Sequence, residues 1–124
     1  MIYGVGIDTI EVDRVKRFLL KQEGLRNQIF SQAEIKYCES KTNRAQSYAA
    51  RFAAKEAFLK ALGTGLNGRF PLREIEVVNL KFGRPELVLK NKAKRMAEIK
   101  RIKRIGVSLS HLKQVASAIV VLER

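Results

Sequence analysis

The chain has 124 residues, 46% of them hydrophobic and 30% charged, with 25 Lys and Arg against 12 Asp and Glu for a net charge of +13. This is the composition of a single soluble globular domain spanning residues 1–124, with a modest core. No apolar run reaches the roughly 20 residues of a membrane helix, the lone Cys38 excludes an intrachain disulfide, and no zinc or iron–sulfur ligand set is present. The positive field draws polyanions, which leaves nucleic acid, an anionic membrane surface, or an acidic protein together with a phosphorylated small molecule. Composition alone favours nucleic acid.

Residues 2–8 are rich in Ile, Val and Tyr and predict a short buried strand that Asp8 ends. No basic leader or small-residue cleavage site precedes it, and with the single cysteine this predicts a cytoplasmic location. Gly4 and Gly6 leave room for another backbone or a ligand. Asp8 reads either as a helix-start residue or as a metal- or phosphate-site carboxylate. Residues 11–22 predict a helix with Val15, Phe18 and Leu19 on its apolar stripe, Glu11 and Asp13 in its first turn, and Arg14, Lys16, Arg17 and Lys21 as cations. Gly24 is its expected stop.

Ser31 and Glu34 have capping-box form and predict a short helix to about Glu39. Asn43 and Gln46 form a second such box and open a long central helix from Arg44 to Leu62, stopped by Gly63. On a helical wheel Tyr48, Phe52, Leu59 and Leu62 share a face with Ala45 and Ala49, and Lys55 and Glu56 fall within or beside it. An unpaired buried charge is costly, so an acid and a base on the core side are either a structural pair or a site. Adjacent helix residues point about 100° apart, so the two do not bridge each other.

The Gly63–Gly68 loop follows a helix C-terminus, the wrong end of the dipole for an anion, so any phosphate there needs side-chain cations. Residues 72–82 and 86–89 predict a hairpin turning at Gly83-Arg84-Pro85. Residues 91–102 predict a basic helix with Ala93, Met96, Ala97 and Ile99 inside. The densest basic run, residues 90–104, lacks interleaved aromatics for base stacking and reads as solvated surface. Two further strands, 105–110 and 115–122, flank a turn at the only histidine, His111. The order is strand, three helices, hairpin, helix, hairpin. That is α+β: a small, largely antiparallel sheet packed with a long central helix and shorter ones.

Asp8 and Glu56 suit a hard cation such as Mg²⁺, which takes carboxylate, phosphate and water oxygens. Lys60, one turn beyond Glu56, either reaches a phosphate beside that metal or forms a surface Glu–Lys pair.

The motif Gly6-Ile7-Asp8 with Glu11 and Arg14 resembles the N-terminal motif of the holo-acyl-carrier-protein synthases. The run Arg51-Phe52-Ala53-Ala54-Lys55-Glu56-Ala57, with Lys60-Ala61-Leu62-Gly63-Thr64-Gly65, resembles that family's central helix and loop. Gly83-Arg84-Pro85 and Ser108-Leu109-Ser110-His111 are similar to its third and fourth motifs, and all occur in family order across the chain.

The resemblance implies a small 4′-phosphopantetheinyl transferase of fatty acid biosynthesis. It would move the arm of coenzyme A to a serine hydroxyl of acyl carrier protein and release adenosine 3′,5′-bisphosphate. It also implies a homotrimer with active sites between subunits, and no nucleic-acid or membrane partner. Asp8 and Glu56 would hold Mg²⁺, and Lys60 would stabilise charge in transfer, completing the catalytic set. Arg51, Lys55, Gly63, Gly65, Pro85, Ser110 and His111 would serve coenzyme A, with Lys55 either at the ligand or at a subunit contact. Arg14, Arg17 and Lys21 would meet the acidic carrier. Glu56, Asp8 and a metal-bound water are all candidates to take the serine proton. The family's usual Thr after the histidine is Leu112 here, which offers no hydroxyl to the adenosine end. The rival readings are a nucleic-acid-binding module, from the basic run, and a metal-free carrier-binding protein, from the cationic first helix.

Overall fold

The structure, a computed structural model, describes residues 1–63 and 70–124, with the backbone alone at Leu20 and Glu23. In chain order the elements are β1 (Ile2–Glu11), α1 (Val12–Lys21), α2 (Glu23–Ile29), α3 (Gln32–Glu39), α4 (Arg44–Leu62), β2 (Ile75–Asn79), β3 (Pro85–Leu89), α5 (Asn91–Ile99), β4 (Arg104–His111) and β5 (Val115–Glu123). The fold is α+β, and the described strands pair only antiparallel, in a three-stranded sheet ordered β1-β5-β4 and a separate two-stranded sheet β2-β3. No helix among the described residues is long and apolar enough to cross a membrane.

The sheet and α4 make the core. Along β1 alternate residues face α4, as strand geometry requires, and at Gly4 and Gly6 the helix comes against bare backbone. A Cβ on Gly4 would lie 2.0 Å from the Ala61 carbonyl oxygen, and one on Gly6 only 1.9 Å from that of Ala57. The glycines of the strand and the alanines of the helix are therefore one feature: no side chain fits between them. Helix α4 is buried on nearly every side, with Ala53, Ala54, Ala57, Phe58, Leu59, Ala61 and Leu62 all in the core. Completely burying a side chain such as Phe58 contributes roughly 2–3 kcal/mol. Gly63 ends the helix as expected, in the left-handed conformation at φ 87°.

Several boundaries differ from the sequence reading. Strand β1 runs on to Glu11, because Asp8, Thr9 and Ile10 pair with Ala118, Ser117 and Ala116 of β5, so Asp8 lies inside the strand. Helix α1 stops at Lys21, where Gln22 is extended at φ −142°, and Gly24 sits inside an additional helix, α2. Ser31 and Glu34 do form the capping box. Asn43 makes no side-chain cap, and Gln46 instead donates to the carbonyls of Leu112 and Lys113. Residues Leu72–Glu74 form a 3₁₀ turn before β2. Ile99, expected inside, is 69% exposed where α5 ends, while Ala93 and Ala97 are buried.

Candidate active site

The close approach of α4 to β1 decides what stands beside Asp8. Two residues beyond Gly6 on the same face, its carboxylate meets the helix at Glu56 and Lys60. Lys60 Nζ donates to Asp8 Oδ1 at 2.9 Å and to the Ile7 carbonyl at 3.0 Å. Lys60 thus bridges to the strand rather than merely pairing along its own helix, and its side chain stays 53% exposed. Glu56 contrasts with it: its Oε1 is buried and has no hydrogen-bond partner among the described residues. Burial, and next the charge of Asp8, push its carboxyl above the ordinary range, while Lys60 and Arg14 pull the other way. Arg14, in the first half of α1, therefore lies within electrostatic reach of the same centre.

The result is two carboxylates, one half-exposed ammonium and one guanidinium. Among the described residues no three His, Cys, Asp or Glu side chains gather as a complete metal set. Two neighbouring carboxylates, one with a buried and orphaned oxygen, nevertheless fit Mg²⁺, which is commonly held by one or two carboxylates with substrate oxygens and water. A cation there would also relieve the desolvated, repelled Glu56.

Lys55, expected at the ligand or at a subunit contact, is elsewhere. Its side chain is 0% exposed and paired with Glu34 Oε1 at 2.7 Å. It also donates to the carbonyls of Leu72 and Ile75. All three ammonium protons are used inside the chain, which removes Lys55 from direct contact with coenzyme A. Burial lowers its pKa, against the opposing pull of Glu34.

Arg51 is 4% exposed. Its guanidinium lies over the Tyr37 ring at 4.0 Å and donates to Asn79 Oδ1, leaving Nε buried without a partner. Asn79 in turn donates to the Gly83 carbonyl, so Arg51 is tied to the turn that leads into Pro85, the first residue of β3.

Gly63 is exposed at the end of α4, and Gly65 lies outside the described residues. Ser110 and His111 sit exposed at the end of β4, paired with Ser117 and Ala116. The Leu112-Lys113 turn beside them rests on Gln46, ten residues before Glu56, about 15 Å along a helix axis. Within one chain, then, Asp8, Glu56, Lys60 and Arg14 come together, while Ser110 and His111 lie on β4, separated from β1 by β5. Arg17 and Lys21 are exposed on α1.

Three contributing residues escape a sequence reading. Glu34 looks like nothing more than a capping-box acid. Tyr37 and Asn79 gain their importance only from Arg51, across the fold.

Residues 4–120 match the family described as the 4′-phosphopantetheinyl transferase superfamily. The chain is 47% identical over 125 residues to a holo-acyl-carrier-protein synthase from a Geobacter species, covering 100% of both proteins. It is similar to the crystal structure of the holo-acyl-carrier-protein synthase from Neisseria meningitidis, with a TM-score of 0.92, 32% identity and 100% of both chains covered. It is also similar to a holo-acyl-carrier-protein synthase from Bacillus anthracis in complex with CoA (3′,5′-ADP), with a TM-score of 0.81, 34% identity, and 98% and 96% of the two chains covered.

Proposed function

The chain belongs to the 4′-phosphopantetheinyl transferase superfamily, among its holo-acyl-carrier-protein synthases, and from that premise we propose that it transfers the phosphopantetheine arm of coenzyme A to a serine hydroxyl of apo-acyl carrier protein. The products are the holo-carrier of fatty acid biosynthesis and adenosine 3′,5′-bisphosphate. The observation that carries this reading is the convergence of Asp8, Glu56 and Lys60 where α4 lies on the glycines of β1. The bound CoA of the Bacillus anthracis relative supports coenzyme A as donor.

Asp8 and Glu56 would hold Mg²⁺. When bound, the ion offsets charge on the pyrophosphate of coenzyme A and on the leaving bisphosphate. Lys60, exposed yet anchored by Asp8 and the Ile7 carbonyl, is placed to contact the same pyrophosphate. Its charge then acts where negative charge builds on the leaving oxygen. Phosphoryl transfer needs position and cations more than covalent help, so a site of two acids and one fixed base is chemically sufficient.

Arg14 lies within electrostatic reach of Glu56, and Arg17 and Lys21 continue the cationic helix. That run suits an acidic carrier arriving with its serine near the metal site, steered by the +13 charge. Arg51, Gly63, Gly65, Pro85, Ser110 and His111 complete the coenzyme A site. Because Ser110 and His111 do not reach Glu56 in one chain, they are assigned to a neighbouring subunit's site, in a homotrimer. The outer face of the three-stranded sheet supports such an assembly, since Val5 (54%), Ile7 (62%) and Ile119 (40%) are exposed on it.

The test is incubation with apo-carrier, coenzyme A and Mg²⁺. One carrier serine gains the mass of the arm; a carrier whose mass is unchanged at any Mg²⁺ concentration overturns the reading.

A further inference from the structure

In a chain with more than twice as many bases as acids, three glutamates are buried together. Glu34 is 1% exposed, Glu76 6% and Glu74 8%. They occupy one region, between α3, α4, the Leu72–Glu74 turn and β2, on the far side of α4 from β1. At the centre of that region is Lys55.

Among the described residues, no fully buried side-chain polar atom of Lys55, Glu34, Glu74 or Glu76 lacks a partner. Lys55 Nζ donates to Glu34 Oε1, the Leu72 carbonyl and the Ile75 carbonyl. Glu34 Oε1 also accepts from the Ser31 amide at 2.9 Å, and Oε2 accepts from the Val77 amide at 2.9 Å. The Ser31 hydroxyl and Lys90 donate to Glu76 Oε2, and the Glu74 carboxylate accepts from the Ala93 amide in the first turn of α5. A buried ion pair is not in itself a strong source of stability, because its desolvation offsets much of its attraction. What it does well is fix geometry, since each member is costly to leave unpaired.

The geometry fixed here is specific. The chain leaves α4 at Gly63 and returns at Leu72 to touch Lys55, eight residues back along the helix, about 12 Å by helical rise. Lys55 therefore fixes the Leu72–Glu74 turn, where the chain enters β2, against α4. Arg51, one turn earlier, holds the far end of β2 through Asn79. The start and the end of β2 are thus tied to the same helix that carries Glu56 and Lys60 on its other side.

We propose that Lys55 and Glu34 are positioning residues: their buried pair pins the Leu72–Glu74 turn and the start of β2 to α4, and so holds in place the β2–β3 turn that, with Arg51 and Pro85, would receive coenzyme A. The proposal deepens the transferase reading and rests on it for the identity of the ligand. Neither residue touches coenzyme A. Their effect passes through β2, whose far end meets Arg51, so it falls on donor binding and spares carrier docking at α1.

The variants are Lys55→Gln and the milder Glu34→Gln, set against Val120→Ala, a core truncation in β5 that loosens the fold elsewhere. Hydrogen exchange on the ligand-free proteins reads the pin directly. The Ile75–Val77 amides should lose protection in both pin variants by at least tenfold more than those of β5, and Val120→Ala should reverse that order. In transfer assays KM for coenzyme A should rise about tenfold, with KM for the carrier and kcat near wild type. Should Lys55→Gln fail to fold, Glu34→Gln carries both measurements. Unchanged local protection, or a rise in the coenzyme A KM no greater than in Val120→Ala, overturns the proposal. A wild-type protein without transfer activity would overturn the transferase reading instead, while exchange still decides whether the pin exists.

Discussion

Lys60 Nζ lies 2.9 Å from Asp8 Oδ1 although 52 residues separate them in the chain. The pair is half in water, with Lys60 53% and Asp8 15% exposed, so it adds little stability; exposed pairs are worth about 0–1 kcal/mol. Its effect is to hold a solvent-facing ammonium beside a carboxylate. Lys60→Met should accordingly leave the melting temperature within a few degrees of wild type while lowering kcat by on the order of 10²-fold. Calorimetric melting and initial-rate assays measure the two sides, and a variant with normal kcat would take Lys60 out of the transfer step.

Glu56 gives the opposite signature. Burial and Asp8 raise its carboxyl above the ordinary 4.5, so the folded state holds a proton that the unfolded state has released. Stability on this account is greatest below about pH 4.5 and declines as pH rises through the raised value. Glu56→Gln removes the charge and with it the slope. Melting curves from pH 4 to 8 in metal-free buffer should show the variant gaining on wild type as pH rises, while transfer falls by on the order of 10²-fold or more. A variant that loses stability at pH 8 relative to wild type would mean Glu56 is paired rather than orphaned.

The central helix, its Gly63 stop and the hairpins are legible in the sequence because periodicity and punctuation are local signals. The charge pattern at Lys55 and Glu56 is legible too, but only as an anomaly. A wheel locates both near the core and cannot say that one faces β2 and the other β1. In the sequence Lys55 reads as serving either the ligand or a subunit contact, since nothing local marks its partner, Glu34, as more than a capping-box acid. Helix α2 is not legible because Gly24 reads as a stop, whereas the break falls at Gln22 and α2 is held by packing against α1 and the Leu72–Glu74 turn. The length of β1 depends on β5, more than a hundred residues away.

Gly6 is the position on which the site's geometry depends most. An added Cβ would lie 1.9 Å from the Ala57 carbonyl and 2.6 Å from the Ala61 amide, both backbone atoms with no side-chain freedom to yield. In Gly6→Ala the helix must withdraw from β1, at a cost of about 3 kcal/mol. The same withdrawal separates Asp8 from Lys60 and Glu56. Urea unfolding should show the loss of stability, and transfer activity should fall more steeply than in a core variant of equal stability, such as one in β5.

Arg17 and Lys21 are exposed on α1 and form no ion pair among the described residues, so their charges can act on an incoming carrier. The double variant Arg17→Glu and Lys21→Glu should raise KM for the carrier about tenfold with kcat little changed, and flatten the dependence of kcat/KM on salt. Equal salt slopes in variant and wild type would place the docking face elsewhere.

The outer sheet face and the separation of His111 from Glu56 lead to one joint expectation. Strand β1 presents Val5 and Ile7 to solvent beside Ile119 of β5. If this face joins subunits, a charge on it cannot be buried without a partner. Ile7→Asp should remain folded, its side chain being 62% exposed, yet sediment as a monomer. It should also lose transfer activity, because Glu56 and His111 then no longer meet across an interface. A mixing experiment separates that cause from local damage. Glu56→Gln and His111→Ala subunits should each be inactive alone, but unfolded and refolded together they should form mixed assemblies. Some interfaces in these carry an intact Glu56 on one side and an intact His111 on the other, and activity returns in proportion. Mixtures no more active than the two variants alone would place each site within a single chain.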